Sequence, residues 1–261
     1  MFEEQALIAL LLSFIAGAST ILGALIIFFT GSRKNEKILS ASLGFAAGVM
    51  LSVSFLDLWT ESQASLQGHA GERWGILLAV IFLLLGILIA LGIDYLVPHE
   101  SPEPGERDKP HQNLYRVGFV SMLGIMIHNF PEGIATFAAG YDDLSMGISI
   151  AIAISMHNIP EGIAVALPLF YATGKVREAF KYTFISGMAE PLGASIAFLI
   201  LRPFINPFNL GAIFALVAGI MIYIAIEELI PSSRQYGHPR LALFATLAGI
   251  VIMPLSHIFI S

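Results

Sequence analysis

Eight stretches of roughly 20 or more mostly apolar residues follow one another along this 261-residue chain, and nothing else in it restricts the fold so strongly. A bilayer core of about 30 Å takes about 20 apolar residues per helix. The stretches run approximately 5–29, 36–58, 74–97, 116–140, 145–170, 176–201, 207–230 and 238–260. Charged residues make up 12% of the chain and hydrophobic ones 56%. Soluble domains carry about 25% charge, so this chain cannot cover a water-facing surface of its size. The ten-residue alternation of a membrane β-barrel is absent. The expected fold is therefore all-α and integral to a membrane: eight transmembrane helices joined by short loops as a single domain over residues 1–261. The first span follows two glutamates and no basic residue, so it reads as a retained helix rather than a signal peptide. A net charge of -6 offers no basic footprint for nucleic acid.

Basic residues set the expected orientation. Arg33, Lys34, Lys37, Arg107, Lys109, Arg116, Lys175, Arg177, Lys181, Arg234 and Arg240 all fall at the loops 1–2, 3–4, 5–6 and 7–8. Only Arg73 and Arg202 fall at the other side. The bias places the basic loops in the cytoplasm and both termini outside.

Ionisable residues at bilayer depth are costly and mark function. Spans four and five carry them in the same words. His128-Asn129-Phe130-Pro131-Glu132-Gly133-Ile134-Ala135 recurs as His157-Asn158-Ile159-Pro160-Glu161-Gly162-Ile163-Ala164, 29 residues later and with seven of eight positions identical. Helical positions i and i+4 share a face, so His128 points with Glu132 and His157 with Glu161. Pro131 and Pro160 cannot donate to the carbonyls of Ile127 and Met156, and a kink is expected at each. Unwound backbone at this depth is tolerated where it lines a polar cavity. Gly133 and Gly162 permit close helix approach. There is no cysteine, so any metal site is built of nitrogen and oxygen, which suits Zn²⁺, Fe²⁺, Mn²⁺ and similar ions. Two carboxylates facing one point require a cation or proton between them. The bland alternative is a pair of kinked helices whose polar residues satisfy one another.

These motifs, the eight spans and the external termini resemble the ZIP family of zinc and iron transporters, most of all its bacterial ZupT-like zinc-uptake branch. Gly44-Phe45-Ala46-Ala47-Gly48, Ser186-Gly187-x-x-Glu190 and Glu227-Glu228-Leu229-Ile230-Pro231 extend the likeness across the chain. The resemblance implies import of a divalent cation (Zn²⁺, with Fe²⁺, Mn²⁺, Co²⁺ and Cd²⁺ as further cargo) through a binuclear site between spans four and five. It implies one position from His128, Glu132, His157 and Glu161, and a second from Asn129, Glu132, Asn158, Glu161 and Glu190. Some relatives put Gln-Asp where this chain keeps His157-Asn158, which leaves the second position here one carboxylate poorer. Some use a Met near Met50, which from the sequence reads more readily as core packing than as a ligand. The resemblance further implies a ZIP-like bundle, a homodimer in the lipid bilayer, and motion of spans one, four, five and six against the rest.

Outside the motifs, Glu190 precedes Pro191 and so sits beside a break in a buried helix. Asp57 and Glu61 either gather cations at an entrance or cap a solvated helix end. Asp94, Glu227 and Glu228 lie at the inner ends of spans three and seven, where an exit relay or simple solvation are both open. The proline- and acid-rich segment 98–115 reads as a flexible cytoplasmic loop, whose His99 and His111 either take up released metal or merely tether. Two other functions compete with import. An intramembrane zinc protease would want His-Glu-x-x-His, which is absent. A proton-coupled carrier of a small organic ion would use one relay rather than a doubled ligand set. No catalytic cofactor is expected.

Overall fold

The computed structural model describes residues 2–30, 35–97, 114–201 and 206–260, and among these it contains helices and no strand. Eight long helical segments result. We number them α1 (residues 2–29, closing in the 3-10 turn Ala24–Phe29), α2 (Glu36–Ala70), α3 (Glu72–Leu96), α4 (Leu114–Asp142), α5 (Leu144–Thr173), α6 (residues 176–201), α7 (Pro207–Arg234) and α8 (Pro239–Ile260). All but α4 are both long and apolar enough to cross a membrane. α4 is long enough, at 29 residues, but the polar residues of the first motif dilute its apolar run.

Local chemistry sets the turns. Asp143 caps α5 by accepting from the amides of Ser145 and Met146, so α4 and α5 are joined by one residue and run antiparallel. Gly174 closes α5 with φ of 68°, a left-handed conformation that only glycine adopts cheaply. Asn35 caps α2, and Asn206 with Pro207 at the first turn starts α7.

Three departures from the sequence expectations matter for the site. First, α2 does not end near Leu58 but continues to Ala70. Residues 59–70 are too polar to read as membrane, yet they continue the helix and pack on α3 and α7. Second, α2, α6 and α7 contain π turns, at Val53–Leu58, Ala197–Leu201 and Ile224–Leu229. Third, α4 and α5 remain helical through Pro131 and Pro160, whereas α6 is interrupted at Met188, between Val176–Gly187 and Ala189–Ile196, two residues before Glu190.

The helices sort into two packed groups. α1, α4, α5 and α6 pack mutually, and α2 packs on α8 and α7, and α3 on α7. Glycine makes the seams of the first group. A Cβ on Gly133 would overlap the carbonyl oxygen of Glu190, and one on Gly162 would overlap that of Thr20.

Those two contacts are images of one another. A shift of 170 residues lays Ile15-Ala16-Gly17-Ala18-Ser19-Thr20-Ile21-Leu22-Gly23-Ala24-Leu25-Ile26 over Ile185-Ser186-Gly187-Met188-Ala189-Glu190-Pro191-Leu192-Gly193-Ala194-Ser195-Ile196, with six identities. A shift of 171 lays Ala47-Gly48-Val49-Met50 over Ala218-Gly219-Ile220-Met221, and carries one π turn onto the other. Contacts follow the pattern: Gly23 faces the carbonyl of Ile159 as Gly193 faces that of Phe130, and Gly17 and Gly187 face each other's carbonyls. α1 and α6, α2 and α7, and α4 and α5 are therefore related by an approximate twofold axis that passes between the two motifs, an inverted-repeat arrangement of the kind built around central binding sites.

Candidate metal centre

The two motifs meet at that axis. His128 and Glu132 descend from one turn of α4, and His157 and Glu161 from one turn of α5. His128 Nε2 lies 3.2 Å from Glu132 Oε1 and 3.3 Å from Glu161 Oε1. His157 Nε2 lies 3.0 Å from Glu132 Oε1. The two imidazole centroids are 6.2 Å apart. Ligand atoms of His128, Glu132 and His157 all fall within 4.8 Å of one another, and all three residues are buried.

The asparagines are oriented from behind. Asn129 donates from Nδ2 to the carbonyl of Ser186 at 3.1 Å, and Asn158 donates to that of Ala16 at 2.9 Å, again as twofold images. Asn158 Nδ2 also donates to Glu190 Oε2 at 2.9 Å. With the amide nitrogens so engaged, the amide oxygens are left over. Asn129 Oδ1, Asn158 Oδ1, Glu132 Oε2, both oxygens of Glu161, Glu190 Oε1 and both ring nitrogens of His128 are buried without a well-formed hydrogen bond, His128 Nε2 meeting only the carboxylate oxygens of Glu132 and Glu161 at 3.2 and 3.3 Å. Buried polar atoms normally find partners, and unpaired buried carboxylates are costly. Six oxygen atoms and imidazole nitrogens around three buried carboxylates share one demand, which a divalent cation meets.

A cavity of about 640 Å³ leads to this cluster. It runs from Glu132 and His157 past Asp57 and Glu61 to Ala139 and Met146 beside the α4–α5 turn. Asp57 lies in the π turn of α2 and lines the same cavity as His157. Glu61 is one helical turn further and exposed. The other end of the bundle is shut by Leu43, Ile125, Ile224 and Leu229, each no more than 2% exposed.

The remaining candidates take distinct places. Met50 is buried in the apolar core. Asp94 and Glu228 are not solvated: Arg116 pairs with Asp94 and, at 2.7 Å, with Glu228, while Tyr223 donates to Asp94 at 3.0 Å. Glu227 is exposed. His99 and His111 lie outside the described residues. The orienting carbonyls of Ala16 and Ser186 and the pairing role of Arg116 escaped the sequence reading. The first would have been visible in the α1/α6 repeat. The second was hidden because a basic residue at a helix end reads first as a topology marker.

A family model described as ZIP Zinc transporter matches residues 4–118 and 98–257. The chain is 43% identical to the zinc transporter ZupT of Oceanobacillus iheyensis over 97% of its own length and 98% of that protein's. It is 42% identical to the zinc transporter ZupT of Clostridium perfringens, covering 97% and 96%, and 44% identical to that of Streptococcus mutans, covering 95% and 96%.

Proposed function

The chain belongs to the ZIP zinc transporter family, a family of multi-pass membrane proteins, and from that premise we propose that it imports zinc into the cytoplasm through the centre between α4 and α5. The observation that carries the proposal is the doubled His/Glu face, buried and with its nitrogens and oxygens at ligand distances, several of those oxygens lacking a well-formed hydrogen bond. His128, Glu132, His157 and Glu161 hold one cation. Asn129, Glu132, Asn158, Glu161 and Glu190 supply a second, adjoining position, with Glu132 and Glu161 shared between the two. Nitrogen and oxygen ligands do not select one borderline ion by affinity alone, so Fe²⁺, Mn²⁺, Co²⁺ and Cd²⁺ belong to the proposed cargo.

On this reading both termini are outside, and the cavity past Asp57 and Glu61 faces the exterior. A cation enters hydrated, exchanges water for the motif side chains, and leaves toward the basic loops once the inner end opens. The domain works as one unit over residues 1–261, and the family resemblance supports a homodimer in the bilayer.

Zinc uptake into proteoliposomes containing the pure protein tests the proposal. Glu132→Ala and His157→Ala should each lower uptake about 100-fold or more, since even outer-shell changes at metal sites cost 10–100-fold. Uptake by both variants at the wild-type rate would overturn it.

A further inference from the structure

The twofold relation that organises the centre has one conspicuous mismatch. The position equivalent to Glu190 on α6 is Thr20 on α1, since each follows its repeat glycine by three residues. Their Cβ atoms occupy equivalent places. A Cβ on Gly17 would lie 3.2 Å from Glu190 Cβ, and one on Gly187 would lie 3.0 Å from Thr20 Cβ and 3.2 Å from its Oγ1. The carbonyl of each residue is pressed against a motif glycine, Glu190 on Gly133 and Thr20 on Gly162.

Thr20 is fully buried, yet its hydroxyl has no hydrogen-bond partner. A helical threonine usually gives its hydroxyl to the carbonyl one turn earlier. Here that carbonyl, of Ala16, already accepts from Ser19 Oγ at 2.6 Å and from Asn158 Nδ2 at 2.9 Å. The hydroxyl is therefore orphaned on the α1 flank of the centre. On the α6 flank, Asn158 finds both a carbonyl and Glu190. On the α1 flank, Asn129 reaches the carbonyl of Ser186, and the shorter Thr20 stands where the second acceptor would be.

We propose that Thr20 is a further binding residue for the transported cation: its hydroxyl, together with Asn129 Oδ1, engages the ion or its retained water on the α1 flank, as the neutral counterpart of Glu190. The inference rests on the transport reading above. Its chemistry is that of a borderline divalent cation such as Zn²⁺, which takes neutral and carboxylate oxygen ligands beside imidazole nitrogen. A neutral oxygen on one flank and a carboxylate on the other hold the ion less tightly than two carboxylates would, which favours release.

Titration of Zn²⁺ alone into the purified full-length chain tests this, with uptake measured in parallel. Thr20→Val keeps the volume and deletes the hydroxyl. It should weaken zinc affinity about fivefold, the worth of one net hydrogen-bond-like contact, while Thr20→Ser should bind as wild type does. Moving the carboxylate across the axis sharpens the test: Thr20→Glu combined with Glu190→Thr should bind zinc more tightly than Glu190→Thr alone. Wild-type affinity in Thr20→Val, equal weakening in Thr20→Val and Thr20→Ser, or no gain in the double variant would each overturn the proposal. If instead Glu132→Ala bound zinc like wild type, the transport reading itself would fail, independently of Thr20.

Discussion

The two ends of the bundle are built from equivalent residues and are in opposite states. Phe214 is part-exposed on the open cavity whereas its repeat mate Leu43 is fully buried; Val53 and Ile154 also border the cavity but are themselves buried, as are their mates Ile224 and Ile125. Asp57 faces the cavity, whereas its mate Glu228 is buried and paired with Arg116. Composition therefore does not decide which end is open. What distinguishes the ends is Arg116, whose mate across the motif repeat is Ser145, an exposed residue beside the α4–α5 turn. Arg116 joins α4 to α3 and α7 through Asp94 and Glu228. It ties one packed group to the other at the closed end, and nothing equivalent is provided by Ser145. On the proposed function, that clasp must part before the cation can leave inward.

The largest expected effect comes from removing the clasp. Arg116→Ala leaves Asp94 and Glu228 buried without their cation, which costs about 3–5 kcal/mol in the closed arrangement. Because the chain has no cysteine, a single Leu43→Cys can report on that end. Its reaction with a water-soluble maleimide should quicken at least tenfold when Arg116→Ala is added, and an unchanged rate would break the comparison. Next come the symmetric seams. Gly133→Ala and Gly162→Ala each force a methyl onto a backbone carbonyl, an overpacking cost of about 1–3 kcal/mol. Thermal unfolding in detergent should fall by similar amounts in both, and a loss in only one would show that the twofold packing is not shared.

Acidification should act through the open end. Zinc binding needs unprotonated imidazole and ionised carboxylate, so it releases protons and weakens as pH falls. Uptake should drop about tenfold between pH 7.5 and 5.5 on the cavity side, and a flat profile would contradict cation capture by His128 and His157. The smallest effect belongs to the vestibule. Asp57→Asn should slow uptake a few-fold at low ionic strength and less in high salt, as expected of steering by a partly solvated charge. Glu227→Gln, at the other end, should leave the rate unchanged.

Much of this molecule could be read from its residues, and the exceptions have physical reasons. The membrane helices declare themselves because backbone in lipid must satisfy itself, and an apolar run of 20 residues has few other uses. His128, Glu132, His157 and Glu161 declare themselves because ionisable groups at that depth are costly. The end of α2 did not, because residues 59–70 are held by packing on α3 and α7 rather than by lipid. The burial of Asp94 and Glu228 did not, because it depends on Arg116, distant in sequence and brought in by α4. Thr20 stayed silent because a threonine in an apolar helix ordinarily satisfies itself. Only the saturation of Ala16's carbonyl reveals that this one does not.

The π turn of α2 has a consequence of phase. Each α-helical residue advances about 100° around the axis, and a π turn holds one residue more than an α turn needs. The faces before and after Val53–Leu58 are thus out of register: Leu43, Ala47 and Met50 point into the core below it, while Asp57 and Glu61 are turned to the cavity above it. Relaxing that turn to α geometry with every residue kept would swing everything beyond it by about that angle, carrying the acidic pair off the vestibule without changing a single charge, whereas deleting one residue along with the turn would leave the pair where it is. The same arithmetic applies to Ile224–Leu229 and to Glu228 beneath Arg116. Helix phase is thus a conformational variable in this chain, set by how these two turns are wound and not by which charges they carry.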